Sequence, residues 1–476
     1  MVGRIREQDI LRKVAKSEES EFVAIYGRRR VGKTYLVRET FEGEFTFSHS
    51  GLSRTNMRGQ LHAFRNSLKM YGHVKCPAFT NWLDAFEELK QVIMKSTSPK
   101  KIVFIDEMPW MDTPRSSFVP ALEYFWNSWA SARKDILLIV CGSATSWIID
   151  KIIRSRGGLH NRVTEQILLE QFTLSECEEY AATRGLQLTR RQLVELYMVF
   201  GGVPYYWHFL ERGQSVAQSV DGLMFADNAK LRGEFISLYE SLFRSSEPYI
   251  AIVKALGAHG GGLNRDELGK ASGIASSGHF SKYLEELEEC GFIRHYPVLG
   301  KAINEAVYQL VDNFTFFALK FARGWRESMP DFWTKLLGTG EYHSWRGHAF
   351  ERVCLRHVNA IKQAMQIGGV SARVCAYRGG EAQIDMIIDR QDDVINIFEM
   401  KYTDDEYSLD EAESRRILSR RSAIAAATNG KKAVHVMLVS AAGFKVNKYS
   451  DAIIGSLTLD DLFGRKSSEK LVPGVA

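Results

Sequence analysis

The chain has no apolar run approaching the ~20 residues that a membrane-crossing helix needs, which excludes a helical integral membrane protein. Its opening, Met1-Val-Gly-Arg-Ile-Arg-Glu, lacks the apolar core of a signal peptide, so a cytoplasmic location is expected. Six cysteines (Cys76, Cys141, Cys177, Cys290, Cys354, Cys375) are dispersed without a CxxC pair. That pattern argues against a disulfide framework or a structural zinc, and for reduced, mostly buried thiols. There is no low-complexity segment and no short repeat, so organisation has to be read from the order of motifs. A formal charge of +5 over 476 residues is mild and permits nucleic-acid contact without demanding it. What is present is the balance of an ordinary soluble globular protein, 45% hydrophobic and 25% charged, with room for three domains at about 150 residues each.

The first motif is "AIYGRRRVGKTYLVRE", Ala24 to Glu39. Phe22 to Tyr26 is an apolar β-rich run, Gly27 to Thr34 fits GxxxxGK[ST], and Tyr35 to Thr40 reads as helix, the context a phosphate-binding loop requires. Over Gly27, Arg28, Arg29, Arg30, Val31 and Gly32 the backbone N–H groups are expected to wrap phosphates, helped by the positive end of the following helix. Lys33 would sit on the β- and γ-phosphates, and the Thr34 hydroxyl on Mg²⁺. ATP or GTP is therefore the expected ligand, against the duller option of a glycine-rich turn.

"KIVFIDEMPW" is a buried-strand run, Ile102 to Ile105, ending in two acids and stopped by Pro109. In P-loop proteins the first acid, Asp106, holds Mg²⁺ and the second, Glu107, polarises the attacking water, which points to hydrolysis. "DILLIVCGSATSW" is a further buried strand, with Ser143 where such ATPases place a γ-phosphate sensor. Arg162 is equally readable as a charge sensor or arginine finger and as an exposed structural arginine. In "FGGVPYYW", Gly202 and Pro204 follow a helical stretch from about Arg190 to Phe200, and a helix-ending glycine with a stop proline would explain both.

Together, "VGRIREQDIL", "GRRRVGKT", "FIDE", "CGSATSW" and "GGVPYYW" resemble the archaeal/bacterial ATPase family in the STAND branch of AAA+-like P-loop NTPases, over about residues 1 to 240. The resemblance implies ATP over GTP, a parallel sheet with a helical lid, and a switch that couples nucleotide state to other domains. It also implies an adenine-flanking role for the opening GR..E box and for Gly202 and Pro204.

From about Glu247 to Leu310 three helical patterns precede two strand patterns, an order that resembles a winged helix; with its linker this middle domain is expected at 241–335. The helix over Ser276 to Cys290 carries Lys282 but also Glu285, Glu286, Glu288 and Glu289, a poor surface to press on phosphates, so a scaffold or lid role is favoured over reading DNA. Phe314, Phe316, Phe317 and Phe321 read as core rather than as a base-stacking platform.

The last domain, 336–476, contains "IDMIIDRQDDVINIFEMKYT", two strand patterns around a turn at Arg390 to Asp393. Residues two apart share a face, so Glu399 and Lys401 point together, and Asp385 lies across from them. Asp385 and Glu399 are then placed to grip one divalent cation, with Lys401 orienting a hydroxide and Glu351 as a fourth group or a salt-bridge partner. The set E…ID(x13)ExK resembles the PD-(D/E)XK nuclease superfamily, with Ile384 in place of the proline. That resemblance implies a restriction-endonuclease-like α/β domain whose catalytic residues are Glu351, Asp385, Glu399 and Lys401. The competing option is a surface charge network worth ~1 kcal/mol or less, although Glu399 sits in the apolar run "VINIFEM". Arg415, Arg416, Arg420 and Arg421 form a basic cluster that would suit a nucleic-acid backbone or a solvated face balanced by Asp410, Glu411 and Glu413.

The expectation is a multidomain α/β protein that binds ATP and Mg²⁺, with nucleotide state gating a metal-dependent nuclease-like domain acting on DNA or RNA, and with assembly into a homo-oligomer on ATP binding. The alternatives are an ATPase switch with a non-catalytic nucleic-acid or protein binding module, and a transcription regulator acting through the winged helix.

Overall fold

Apolar runs without polar alternation belong on strands that are covered on both faces. In the computed structural model, which describes residues 1–155, 157–243, 245–301, 305–322, 328–379 and 382–464, such runs build two of three sheets. The chain divides into two units, Met1–Gln171 and the remainder from Phe172.

In the first unit α1 (Ile5–Ala15) leads into β1 (Glu21–Tyr26), α2 (Lys33–Thr40), β2 (Phe45–Ser50), α3 (Met57–Met70), α4 (Trp82–Lys95), β3 (Lys101–Asp106), α5 (Phe118–Ser128), β4 (Ile136–Cys141), α6 (Thr145–Ile148) and β5 (Glu165–Leu168). The five strands are parallel in the order β2-β3-β4-β1-β5. Alternate residues sort to opposite cores: Phe22, Val103, Ile105, Leu138 and Val140 face α3, α4 and α5, whereas Val23, Ile25, Phe104, Leu137 and Ile139 face α1 and α2. The helices start where the side chains allow it. Asn56 and Asn81 accept hydrogen bonds from the free N–H groups of Gly59 and Asp84 at the heads of α3 and α4.

The second unit begins with α7 (Leu174–Thr183), α8 (Arg190–Phe200), α9 (Pro204–Trp207), α10 (Val216–Val220), α11 (Glu234–Leu242) and α12 (Glu247–Ala258). Then come β6 (Leu263–Asn264), α13 (Arg265–Ser272), α14 (Gly278–Glu289), β7 (Ile293–Tyr296) and β8 (Val307–Leu310), with the strands forming an antiparallel sheet β6-β8-β7. After α15 (Asn313–Phe321), α16 (Phe332–Leu336), α17 (Gly340–Arg356) and α18 (Val358–Ala364) the chain makes β9 (Ala372–Gly379), β10 (Ala382–Arg390), β11 (Val394–Lys401), α19 (Glu411–Ala427), β12 (Ala433–Ser440), β13 (Gly455–Leu457) and α20 (Leu459–Leu462). This sheet runs β13-β12-β11-β10-β9, antiparallel across β9, β10 and β11 and parallel beyond.

The division after Gln171 falls well before the expected boundary at 240. The reason is packing: α7 to α11 share one continuous core with the later elements. Tyr206 lies against Phe314 with ring centroids 4.6 Å apart, and Tyr239 against Phe292 at 4.7 Å. Phe314, Phe316, Phe317 and Phe321 are buried in that core, as their sequence context implied. No helix among the described residues is long and apolar enough to cross a membrane.

One buried histidine fastens α7 to α17. His357 Nε2 accepts the N–H of Leu174 at 3.0 Å, and its Nδ1 faces the Val353 carbonyl at 2.7 Å, so the ring is the neutral tautomer with its proton on Nδ1. Burial lowers its pKa to about 4. The unfolded chain, with an ordinary histidine value, binds a proton that the native state refuses. This contribution is therefore whole above about pH 6.5 and is lost as pH falls toward 4, by about 2–3 kcal/mol. Denaturant unfolding of the second unit, followed across that window, should lose part of its acid sensitivity in His357→Gln.

Candidate functional site: a phosphate loop and two acids

The loop between β1 and α2 is shaped by what surrounds it. Gly27 has φ 130°, and a Cβ there would stand 2.4 Å from the carbonyl oxygen of Leu169, so only glycine fits this approach to the end of β5. Arg30, at φ 72°, and Gly32, at φ 95°, complete the reversal into α2. Arg28 is buried, with Arg29 and Arg30 half-buried, and Val31 sits in the α1/α2 core. Lys33 is buried, and its Nζ donates to the carbonyls of Gly27 (2.8 Å) and Arg28 (3.0 Å), so it is held inside the loop it is expected to serve.

The Thr34 hydroxyl donates to Asp106 Oδ2 at 2.8 Å. The other oxygen of Asp106 accepts the N–H of Glu107 and the thiol of Cys141 at the end of β4. Glu107 leaves the strand in the left-handed conformation (φ 47°), which turns its carboxylate toward β4. There Ser143 donates its hydroxyl to Oε1 at 2.5 Å and its N–H to Oε2 at 3.2 Å. Lys33, Thr34, Asp106, Glu107 and Ser143 thus come together at the carboxyl ends of β1, β3 and β4, where open α/β sheets bind ligands. A threonine hydroxyl facing an aspartate is a hard oxygen donor pair that fits Mg²⁺.

Other expected residues are placed elsewhere. Arg162 lies exposed in the turn before β5. Gly202 and Pro204 belong to the second unit, where local packing accounts for them. A Cβ on Gly202 would stand 1.9 Å from the Phe172 carbonyl oxygen, and Pro204 opens α9. Two residues play supporting parts that the sequence did not assign to them. Cys141 reads there only as the end of an apolar run. Arg4, inside the quoted opening box, is buried and donates through Nη2 to the carbonyls of Glu170 (2.6 Å) and Val31 (3.3 Å), bracing the loop from behind.

The C-terminal set does not assemble as expected. Antiparallel register (Ile387 opposite Ile397) would carry Asp385 to a place opposite Glu399, but the pairing of β10 with β9 slips between Ile384 and Ile387. Such a bulge re-aims side chains. The charges acting on Asp385 are those of Glu351, Arg352 and His348, all on α17, and burial followed by Glu351 raises its pKa. Glu351 itself contacts His348 Nδ1 at 3.2 Å. Glu399 and Lys401 face α19 instead, where Arg420 donates to Glu399 and Lys401 lies 2.9 Å from Glu413. Burial pushes the Glu413 carboxyl up, but hydrogen bonds from Lys401 and Arg416 outweigh it and hold the pKa at about 2. Among the described residues, Glu351, Asp385 and Glu399 are not a group whose ligand atoms all lie within 4.8 Å of one another. In this arrangement the four residues fall into two sets, Asp385 beside Glu351 on α17, and Glu399 with Lys401 in ion pairs to α19. Of the basic cluster, Arg415 and Arg416 pair with Glu411 and Glu413 on their own helix, the duller of the two options.

The first unit carries the fold and the loop of a P-loop ATPase. Residues 1–209 match the family described as an ATPase domain predominantly from Archaea. An uncharacterized protein of Methanocaldococcus jannaschii is 24% identical over 333 residues, 67% of this chain and 68% of its own length. Among solved structures, the Walker-type ATPase PABY2304 of Pyrococcus abyssi aligns with a TM-score of 0.52 at 15% identity, over 67% of this chain and 96% of its own. The ORC2 protein of Aeropyrum pernix, in ADPNP–ADP complexes, aligns at a TM-score of 0.39 and 14% identity over 67% and 93%, too distant to carry an argument.

If Arg4 braces the loop, Arg4→Gln should weaken nucleotide binding about tenfold, the cost of a lost charge-assisted hydrogen bond, while leaving the first unit folded. Titration with a fluorescent ATP analogue, beside circular dichroism, checks this; unchanged affinity would remove Arg4 from the site.

Proposed function

We propose that the chain is an ATP-hydrolysing switch whose nucleotide state governs what its second unit binds. The observation that carries this reading is the meeting of Thr34 with Asp106 and of Glu107 with Ser143 at the carboxyl ends of β1, β3 and β4. Loop N–H groups from Gly27 to Thr34 would hold the phosphates, and Lys33 would balance charge on the β- and γ-phosphates. When bound, Mg²⁺ would neutralise phosphate charge beside Thr34 and Asp106. Glu107 would orient the attacking water and take its proton, and Ser143 would register the γ-phosphate. Arg162, by its exposure, is free to serve a neighbouring subunit's nucleotide in an ATP-driven assembly, and Gly202 with Pro204 would flank the adenine.

For the last sheet the ion pairs of Glu399 and Lys401 favour a non-catalytic module that binds DNA or a protein. A second reading, a metal-dependent nuclease acting on DNA or RNA, draws support from Asp385 and Glu351. Two acids in one half-buried place repel each other, and a divalent cation would relieve that repulsion. Under this reading Glu399 and Lys401 must leave Arg420 and Glu413 to complete the site.

Lys33→Ala should lower ATP turnover at least ~100-fold, and Glu107→Gln should keep ATP binding while cutting turnover by about 10²–10⁴. A Lys33→Ala protein hydrolysing ATP at the normal rate would remove the loop from the mechanism. Plasmid and single-stranded DNA, incubated with Mn²⁺ or Mg²⁺ with and without ATP, separate the two readings of the last sheet. The module reading expects intact DNA throughout, whereas cleavage abolished by Asp385→Ala would establish the nuclease.

A further inference from the structure

The connection between α3 and α4, outside the phosphate loop, brings together three side chains of unlike chemistry. His73 lies three residues beyond the end of α3, Cys76 follows in a turn closed by its own N–H to the His73 carbonyl at 3.0 Å, and Glu88 projects from the second turn of α4. One ligand atom from each lies within 4.8 Å of the other two, and this is the one such set of three among the described residues. His73 Nε2 already touches a Glu88 oxygen. The Cys76 backbone is fixed independently, because Arg65 donates from Nε (3.0 Å) and Nη2 (2.7 Å) to its carbonyl. Neither ATP hydrolysis nor the second unit calls for this arrangement.

We propose that His73, Cys76 and Glu88 bind a zinc ion that clamps the connection between α3 and α4. Ligand–zinc distances of about 2.0–2.3 Å place tetrahedral donor atoms about 3.3–3.8 Å apart, so atoms already within 4.8 Å of one another need to draw in by only about 1 Å. Imidazole and thiolate select zinc over Mg²⁺ or Ca²⁺, which prefer oxygen alone. A neutral imidazole, a thiolate and a carboxylate together cancel the charge of a divalent ion, so a half-buried site carries no net charge. Zinc displaces the thiol proton, which goes to solvent. Three protein ligands leave a fourth position for water. Arg65 acts as a positioning residue, holding the Cys76 turn from outside the ligand set. The site is independent of the ATPase reading, since it shares no residue with the phosphate loop. The dispersed cysteines argued against a structural zinc because a single cysteine with a histidine three residues before it and a glutamate twelve residues after it fits no paired-cysteine pattern.

The test uses the full chain, stripped with a chelator and titrated with Co²⁺ without nucleotide. Co²⁺ substitutes for zinc and reports thiolate ligation by a near-ultraviolet charge-transfer band and tetrahedral geometry by strong visible bands. The proposal expects both, saturating at about one ion per chain and bleached by added Zn²⁺. Cys76→Ser should lose the charge-transfer band, and His73→Ala and Glu88→Gln should each weaken Co²⁺ binding at least ~10-fold. Asp106→Ala, which alters the phosphate-loop site and none of the three ligands, should leave the spectrum unchanged. Circular dichroism of each variant separates lost ligation from lost folding. No charge-transfer band in the folded wild-type protein, or one that survives Cys76→Ser, would overturn the proposal and leave an ordinary His73–Glu88 pair beside a thiol.

Discussion

The hydrogen bond from Thr34 to Asp106 is the constraint on which the nucleotide site depends. It joins the first turn of α2 to the tip of β3, and those two elements are not neighbours in the sheet, because β4 lies between β3 and β1. The contact exists only if both strands end at the same level. That in turn requires the parallel register of β1 with β4 and of β4 with β3 to be kept along their whole length, Ile25 beside Cys141 and Ile105 beside Val140. Register in a parallel sheet buried on both faces is enforced by the side chains above and below it, since a one-residue slip would exchange the two cores. The apolar residues of β1, β3 and β4 are thus as much a part of the site as the residues that face the ligand.

Much of that unit was legible in the sequence for this reason. The glycine spacing, the lysine and the acids at strand ends are local patterns, each serving one element, and the elements that follow from them meet by a fixed strand order. Glu107 and Ser143 were assigned by motif context, and their contact adds the geometry. Arg4 was read only as part of the adenine-flanking box, because its partners in the structure are backbone carbonyls 27 and 166 residues away, and carbonyls leave no mark in a residue string. The division after Gln171, well before the expected boundary near 240, could not be read for the same reason. The helices from α7 to α11 have unremarkable amphipathic patterns, and only three-dimensional packing reveals that their aromatic faces belong with Phe292 and Phe314.

The last sheet marks the limit of periodicity as a guide. Counting by twos along β11 correctly sorts Phe398 and Met400 from Glu399 and Lys401, because that strand is regular and paired throughout with β12. The same count on β10 fails at Asp385, because the pairing with β9 is irregular there. Ile384 and Ile387 pack in one core and Met386 and Ile388 in the other, a sequence of faces that strict alternation does not produce. Residue types alone do not announce such an irregularity.

That irregularity also sets how far apart two kinds of chemistry stand in this protein. Glu351 with Asp385 on one side of the sheet, and Glu399 with Lys401 on the other, are separated by a single extra step of backbone between Ile384 and Ile387. The step therefore leaves one sheet with two faces of unlike electrostatic character, an aspartate whose proton affinity a neighbouring acid raises toward α17, and charges neutralised in pairs toward α19.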